Sequence, residues 1–421
     1  MLSVKKLFCM ILALAMLLST AAMAESGFAG GSGTREDPGQ IASAEQLQLV
    51  RENLSGHYTL VADVDLSGFE NREPIGAFQP LSDAPEDAEV PHPDYAFTGT
   101  FDGAGHTISN LTVSSASPMG AGLFGCASGT ENGEAYIGNF TLENIDVSGF
   151  YLVGGAVGLQ FMNCKVSDIT LKGENKLIGS QGIGGIVGTA FDLISNCTAT
   201  ADITVAGDGG ACAGLIAGGT TMSSLANCAA VDGSITAEGN AVWGIGAVCG
   251  APWGAAEITG CRASGTSIAV SGKGNRLIGG LVGFGGAYAP SAPAQISGCT
   301  VEQVSIIVSD TTTAVGGLIG GGKEMMEGSD VMSSLEIREC TVSGCIALAD
   351  ITSCDQYAGA IAGSSAGTFA ENRFVSDTLA GLNRQSIAGS AEPVDFQTLL
   401  DEDILPEDMR TFTLKFVADG K

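Results

Sequence analysis

The chain has 421 residues, 62 of them glycine, with 6% aromatic residues and a formal net charge of −28. So acidic a surface repels nucleic acid and anionic membranes, which excludes those polyanions as partners. Its apolar residues recur at regular places, as a packed chain requires and a disordered one does not.

Residues 1–24 read as a signal peptide. Lys5 and Lys6 begin it, residues 7–18 form a short apolar run, and Ala22-Met23-Ala24 is a small-residue cleavage site. No later segment is long and apolar enough for a transmembrane helix. Export is therefore expected, with the mature chain secreted or held non-covalently at the cell surface. Residues 25–120 are expected to form an N-terminal cap and irregular first rungs. Ser43 and Gln46 have capping-box spacing, and Leu47, Val50 and Leu54 share a helical stripe. Residues 58–66 and 97–113 read as rungs, and the Pro- and acid-rich stretch 79–96 as an exposed loop.

Residues 121–376 repeat. A five-residue cassette appears as Ala121-Gly122-Leu123-Phe124-Gly125, Gly154-Gly155-Ala156-Val157-Gly158 and Gly184-Gly185-Ile186-Val187-Gly188. It returns as Ala213-Gly214-Leu215-Ile216-Ala217, Ile245-Gly246-Ala247-Val248-Cys249 and Gly279-Gly280-Leu281-Val282-Gly283. The last copies are Gly316-Gly317-Leu318-Ile319-Gly320 and Ala358-Gly359-Ala360-Ile361-Ala362. Counted at the second residue, the steps are 33, 30, 29, 32, 34, 37 and 42 residues. A period of this length means one supersecondary unit stacked many times, each unit completing its neighbour's core.

A second mark in each unit is a cysteine: Cys164, Cys197, Cys228, Cys261, Cys299 and Cys340. Before it stand Asn163, Asn196, Asn227, Gly260, Gly298 and Glu339. Asn and Gly best tolerate a left-handed backbone, so a recurring tight bend is expected there, with Glu339 breaking the pattern. After the cysteine, apolar residues alternate, as in Cys197, Ala199, Ile203 and Val205. Each unit thus offers about three short strands joined by bends. Stacked in parallel, they predict an all-β chain: a right-handed parallel β-helix of pectin-lyase-like shape with short helical caps at both ends. The ladder cysteines are expected to be buried thiols, because in-register parallel neighbours point the same way. Cys345 and Cys354 fall outside the ladder and are the better candidates for a disulfide.

Residues 377–421 read as a C-terminal cap or the start of a truncated further domain. Phe396, Leu399, Leu400 and Ile404 form a helical stripe stopped by Pro406, and residues 411–417 alternate like a strand.

The cassette followed by Asn-Cys resembles the GLUG motif of bacterial exported proteins, over residues 121–363. The stretch from Gly30-Gly31-Ser32-Gly33-Thr34 through Asp63-Val64-Asp65-Leu66 and Gly99-Thr100-Phe101-Asp102-Gly103 resembles the leader region before such repeats. The resemblance implies a β-solenoid on surface or secreted proteins, some of which are immunoglobulin A-cleaving metallopeptidases.

Catalytic signatures are sparse. A zinc peptidase needs His-Glu-x-x-His or an equivalent, and His57, His92 and His106 lack that spacing. All three precede the cysteine ladder, which disfavours a cysteine peptidase. The glycine cassettes lack the Lys-Ser/Thr ending of a phosphate-binding loop. A glycoside hydrolase needs two carboxyl groups facing one bond. Asp63, Asp65 and Asp102 are the best acids for a hydrolase or a polysaccharide lyase, Asp63 and Asp65 sharing one strand face. Solvated turn acids are the simpler reading of all three. Asp168, Asp202 and Asp232 follow successive cysteines at unequal offsets. No cofactor is expected, calcium being the cation that so acidic a chain could take.

The gap from the cassette's fifth residue to the ladder cysteine grows as 6, 9, 11, 12, 16 and 20 residues. Insertions in solenoids map to loops on one side, often the binding side. The later loops and their flanks carry Trp243, Trp253, Tyr288, Met325 and Met326, residue types suited to glycan or protein contacts. These five are the candidate ligand-binding residues, to be weighed against folding back onto the wall. The sequence reads as a secreted or cell-surface, adhesin-like β-solenoid without catalysis. Its partner would be an extracellular glycan or a host or cell-surface protein. The alternatives are a carbohydrate-active enzyme on the same fold and a structural spacer.

Overall fold

A computed structural model describes residues 27–69, 73–77, 95–114, 119–131, 133–207, 211–239, 242–272 and 275–285. It further describes 287–288, 294–309, 312–321, 337–338, 341–343, 346–352, 357–363, 368–383 and 388–402. The expected signal peptide, most of the 79–96 loop, Ile404, Pro406 and the 411–417 strand lie outside these residues.

The chain is a parallel β-helix. Its strands form parallel sheets of 26, eight and seven strands and one two-stranded sheet; from Met119 onward the eight- and seven-stranded sheets take one strand per rung, the seven-stranded one ending a rung earlier. In one rung Tyr151–Gly154 lies in the eight-stranded sheet and Val157–Gln160 in the seven-stranded one. Cys164–Lys172 and Lys176–Gly179 follow in the large sheet. Higher up, the long strand divides at a bend, as in Ser224–Ala226, Ala229–Val231 and Ser234–Glu238. A rung there has five strand segments, more than the three expected, because each Asn or Gly bend interrupts pairing.

The pairing register corrects the frame of the cassette. Gly154 pairs with Gly184, and Gly184 with Gly214. Ala213 opposite Ile245 sets Gly214 opposite Gly246, and the column continues with Gly246 opposite Gly279, Gly279 opposite Gly316 and Gly316 opposite Gly359. From Gly154 onward the unit in space is therefore Gly-x-x-x-Gly, and three of these copies begin one residue later than their sequence suggests: Gly214–Gly218, Gly246–Gly250 and Gly359–Gly363; the first copy also begins later, at Gly122 opposite Gly154, and is one residue shorter, with Gly125 opposite Gly158. The cassette is also not a single strand and bend. It ends a strand of one sheet, turns, and starts a strand of the next. Its first glycine lies where a Cβ would strike the carbonyl three residues ahead, as Gly279 does with Val282. Its fifth glycine lets one sheet close on the backbone of the other: a Cβ on Gly283 would overlap Ile245 N and sit 2.6 Å from Gly250 O. No larger residue fits either position without opening the corner.

The bend before the cysteines is left-handed as the residue types suggest, with φ of 54° at Asn196, 54° at Asn227, 61° at Gly260 and 59° at Gly298. Register nevertheless separates Cys164 from the column. Ser167 pairs with Ser195 and Thr170 with Thr198, which sets Asp168 opposite Asn196 and Ile169 opposite Cys197. Cys164 itself pairs with Ala135. Asn163 also has φ 56°, but at a different bend. The described cysteine column is Cys197, Cys228, Cys261 and Cys299. Cys340, Cys345 and Cys354 lie outside the described residues. The described cysteines are all buried free thiols.

One apolar core runs the length of the solenoid. In the first rungs it is built from rings: Phe97 stacks on Phe124 at 4.8 Å, and Phe101 meets Phe124 and Phe140 edge-on at 5.3 and 5.7 Å. Further up it is Val, Ile, Ala and the cysteine column. A short helix stands at each end. Ala44–Leu49 is capped by Ser43, whose Oγ accepts from Gln46 N at 3.4 Å. Gln46 Oε1 answers by accepting from Ala42 N, one residue beyond the usual box partner. Phe396–Asp401 is capped by Asp395, and its Leu399 packs on Val375 and Val394.

Candidate functional site

Trp253 does not stand out from the wall. It closes strand Cys249–Trp253 and is 8% exposed. Its ring lies 4.6 Å from Phe284 and 6.4 Å from half-buried Trp243. Cys212, Ala251, Leu277 and Ala314 complete this cluster, which is separate from the main core. Thr221 pairs directly with Trp253, so of the two readings weighed for this residue its ring follows the one that folds back onto the wall. Met325 and Met326 lie outside the described residues.

Tyr288 belongs to a feature that sequence reasoning did not foresee. The two-residue strand Ala287–Tyr288 pairs antiparallel with Ile337–Arg338. The long loops that follow two successive cassettes thus meet each other, apart from the three parallel sheets. Phe284, three residues before Ala287, is buried against Trp253. The aromatic cluster is the footing from which the first of these loops departs. No spacing signal announces the pairing, because its partners come from two irregular loops of different length.

Register also reshapes the graded gap. Measured between equivalent positions, Gly158 to Ile169 is 11 residues, Gly188 to Cys197 is 9, Gly218 to Cys228 is 10 and Gly250 to Cys261 is 11. Gly283 to Cys299 is then 16. The even ramp becomes a level stretch, a step at the loop that carries Tyr288 and a larger one in the next rung, where Gly320 to Ser343 is 23 residues against 14 from Gly283 to its partner Ser297.

The N-terminal acids are tied into turns. Asp63 Oδ1 accepts from Thr107 N at 2.9 Å and lies 3.1 Å from His106 Nδ1. Asp65 Oδ1 accepts from Asn110 Nδ2 at 2.7 Å and from Ser67 N at 2.9 Å. Asp102 Oδ1 accepts from Ala104 N at 2.8 Å and Asn139 Nδ2 at 2.9 Å. Asp63 and Asp65 are exposed on one face as their spacing implies. The Thr107 amide, then His106, holds the Asp63 carboxyl below its ordinary value; Asn110, then Ser67, does so for Asp65. Such carboxylates are staples between rungs, committed to the ionised form.

Asp168, Asp202 and Asp232 do not form a row. Asp168 and Asp232 sit at two different left-handed bends, while Asp202 lies on a strand opposite Lys176 and Ser234. Asp202 and Asp232 do share a surface cavity of about 270 Å³ with Glu174, Asn175 and Lys176, residues not singled out by the sequence. Asn175 is committed to the fold, accepting from Ile145 N and donating to Thr200 O at 2.8 Å. His57 Nδ1 lies 2.8 Å from Thr100 Oγ1. Burial pushes the Cys126 and Cys212 thiols up to about 12, and Cys164 well up, so these are not poised nucleophiles. Among the described residues no group of three or more His, Cys, Asp or Glu is placed to hold a metal ion. Among them, too, no helix is long and apolar enough to cross a membrane.

Comparison with known proteins agrees with this architecture. The model of the GLUG motif matches residues 179–204, which span the cassette Gly184–Gly188 and the bend at Asn196-Cys197. Halomucin of Haloquadratum walsbyi is 35% identical over 163 residues, 38% of this chain and 2% of halomucin. Among solved structures, a provisionally named immunoglobulin A1 protease from Bacteroides ovatus aligns with a TM-score of 0.52 at 21% identity. That alignment covers 68% of this chain and 84% of that one. An IgA1 protease aligns with a TM-score of 0.50 at 17% identity, covering 86% of this chain and 24% of that one. The chain carries the GLUG motif, and the same backbone unit recurs in register on either side of it. It spans a small part of halomucin and of the second protease, and the two structural likenesses speak to fold.

Proposed function

We propose that this chain is an exported, surface-associated β-solenoid that serves adhesion or ligand binding without catalysis. In this reading residues 1–24 direct export, 25–120 cap and begin the solenoid, 121–376 form its repeats, and 377–421 close it or lead into a further domain. The observation that carries the reading is the antiparallel pairing of Ala287–Tyr288 with Ile337–Arg338. Every other ladder between two named strands among the described residues is parallel and runs from rung to rung. Here segments of two long loops pair with each other instead. Trp253 and Phe284 pack together where the first of these loops begins, and Tyr288, Met325 and Met326 belong to the loops that would meet an extracellular glycan or a host or cell-surface protein. Similarity to halomucin and the GLUG match support a place outside the cell.

The test is an array of glycans and host proteins probed with the mature chain, with and without calcium. A variant with residues 284–296 shortened should keep its strand signature and lose the binding. Unchanged binding by that variant would remove the loops from the account. Release of reducing or unsaturated sugars would replace it with the carbohydrate-active enzyme.

A further inference from the structure

Four thiols in the core form a row that packing alone does not require. Cys197, Cys228, Cys261 and Cys299 occupy one column on consecutive rungs. All four are buried and unoxidised. They also share one orientation. Each Sγ–H points at the carbonyl two residues back: Ser195 at 3.3 Å, Ala226 at 3.5 Å, Thr259 at 3.6 Å and Ser297 at 3.3 Å. The upper three also approach the preceding rung, at Ile194, Leu225 and Ile258 O.

We propose that this row binds a soft, singly charged d10 cation of the Cu(I) or Ag(I) class, held between two sulfurs on adjacent rungs. Rungs repeat every ~4.8 Å. A linear S–M–S unit with metal–sulfur bonds of about 2.3 Å spans about 4.6 Å, so the fold's own repeat sets the sulfurs at the right separation. Thiolate is the ligand type that selects such ions. Two-coordinate binding needs no third ligand, in keeping with the absence of larger ligand clusters among the described residues. The chemistry balances without charge in the core. One ion enters between two thiols, one S–H bond breaks, its proton leaves to solvent, and the site remains neutral with one thiolate and one thiol. Using each sulfur once gives two sites, Cys197 with Cys228 and Cys261 with Cys299.

Silver(I) nitrate in chloride-free buffer is the probe, added to the reduced mature chain, followed by gel filtration and metal analysis. The wild type should retain about two more equivalents than Cys228→Ala/Cys261→Ala, and its X-ray absorption should show two sulfur neighbours. If the alanine pair does not fold, Cys228→Val/Cys261→Val keeps the volume and serves as the comparison. Equal retention by wild type and ladder variant overturns the proposal, as does loss of the strand signature when silver is added.

Discussion

Early and late rungs make the same left-handed bend with different chemistry. Between Asp102 and Asn196 the bend column is tied from rung to rung by side chains: Asn139 donates to Asp102, and Asn196 to Asp168 at 3.2 Å. Above Asn227 the bend is Gly260 and then Gly298, with no side chain to tie. The cores differ in parallel. Phe97, Phe101, Phe124 and Phe140 interlock below, while thiols and small aliphatic side chains fill the later rungs. One backbone register accepts both, so the shape of the turn and the closeness of the sheets are the strict requirements.

That contrast can be broken most sharply in the early core. Phe101→Ala should cost about 3–5 kcal/mol, because its ring is fully buried between Phe124 and Phe140 and the neighbouring rungs cannot collapse into the space. In the later core, Cys228→Ala removes one small atom and should cost no more than about 1.5 kcal/mol. Denaturant unfolding of the two variants reads the difference.

The cassette corner comes next. Gly283→Ala forces a methyl onto Ile245 N and Gly250 O and should cost about 1–3 kcal/mol. Gly68→Ala meets no atom within 4 Å and should stay within about 0.5 kcal/mol. At the bends, Asn196→Ala should cost about 1–2 kcal/mol, since alanine resists φ of 54°. Gly260→Asn should be tolerated within about 1 kcal/mol, the late bend being remade in the early style. Equal losses for those two, measured by the same unfolding, would end the idea that Asn and Gly are interchangeable there.

The smallest effect concerns acid. The Asp63 and Asp65 carboxyls lie below their ordinary values when folded, so what they contribute is present above about pH 4 and is lost as pH falls through the folded values. Thermal midpoints should drop between about pH 5 and pH 3, and Asp63→Asn/Asp65→Asn should flatten that slope. An unchanged slope would mean these exposed staples do not hold the early rungs.

Much of this was legible in the sequence. Glycine spacing, the Asn/Gly exchange and strand alternation announce a parallel solenoid, and the capping residues announce both terminal helices. What misled was frame. Gly-Gly pairs such as Gly279-Gly280 make either glycine look like the start of the cassette, and only strand pairing shows which one meets the carbonyl of Val282. Asn163-Cys164 matches Asn196-Cys197 letter for letter, yet stands five residues before the equivalent Asp168-Ile169. Bend chemistry recurs more than once per rung, so residue type alone does not identify which bend is which. The same slip made the level early gaps look like the start of a ramp, although the last two do lengthen. For Trp253 the sequence left loop and wall open because a loop and a strand end have the same composition here, and the pairing of Ala287–Tyr288 left no periodic trace.

The central claim is the register itself, and cross-linking tests it most directly. Neighbouring positions of the bend column lie about 4.8 Å apart, within reach of a short bifunctional thiol reagent that does not need the two side chains to face each other, whereas Asn163 and Asn196 are offset by five residues, about 16 Å along the strand. Asp168→Cys/Asn196→Cys should therefore be bridged in the folded chain by such a reagent, dibromobimane, read by mass spectrometry. Asn163→Cys/Asn196→Cys should not. A bridge in the second variant and none in the first would contradict the register, and with it the Gly-x-x-x-Gly corner and the four-thiol row.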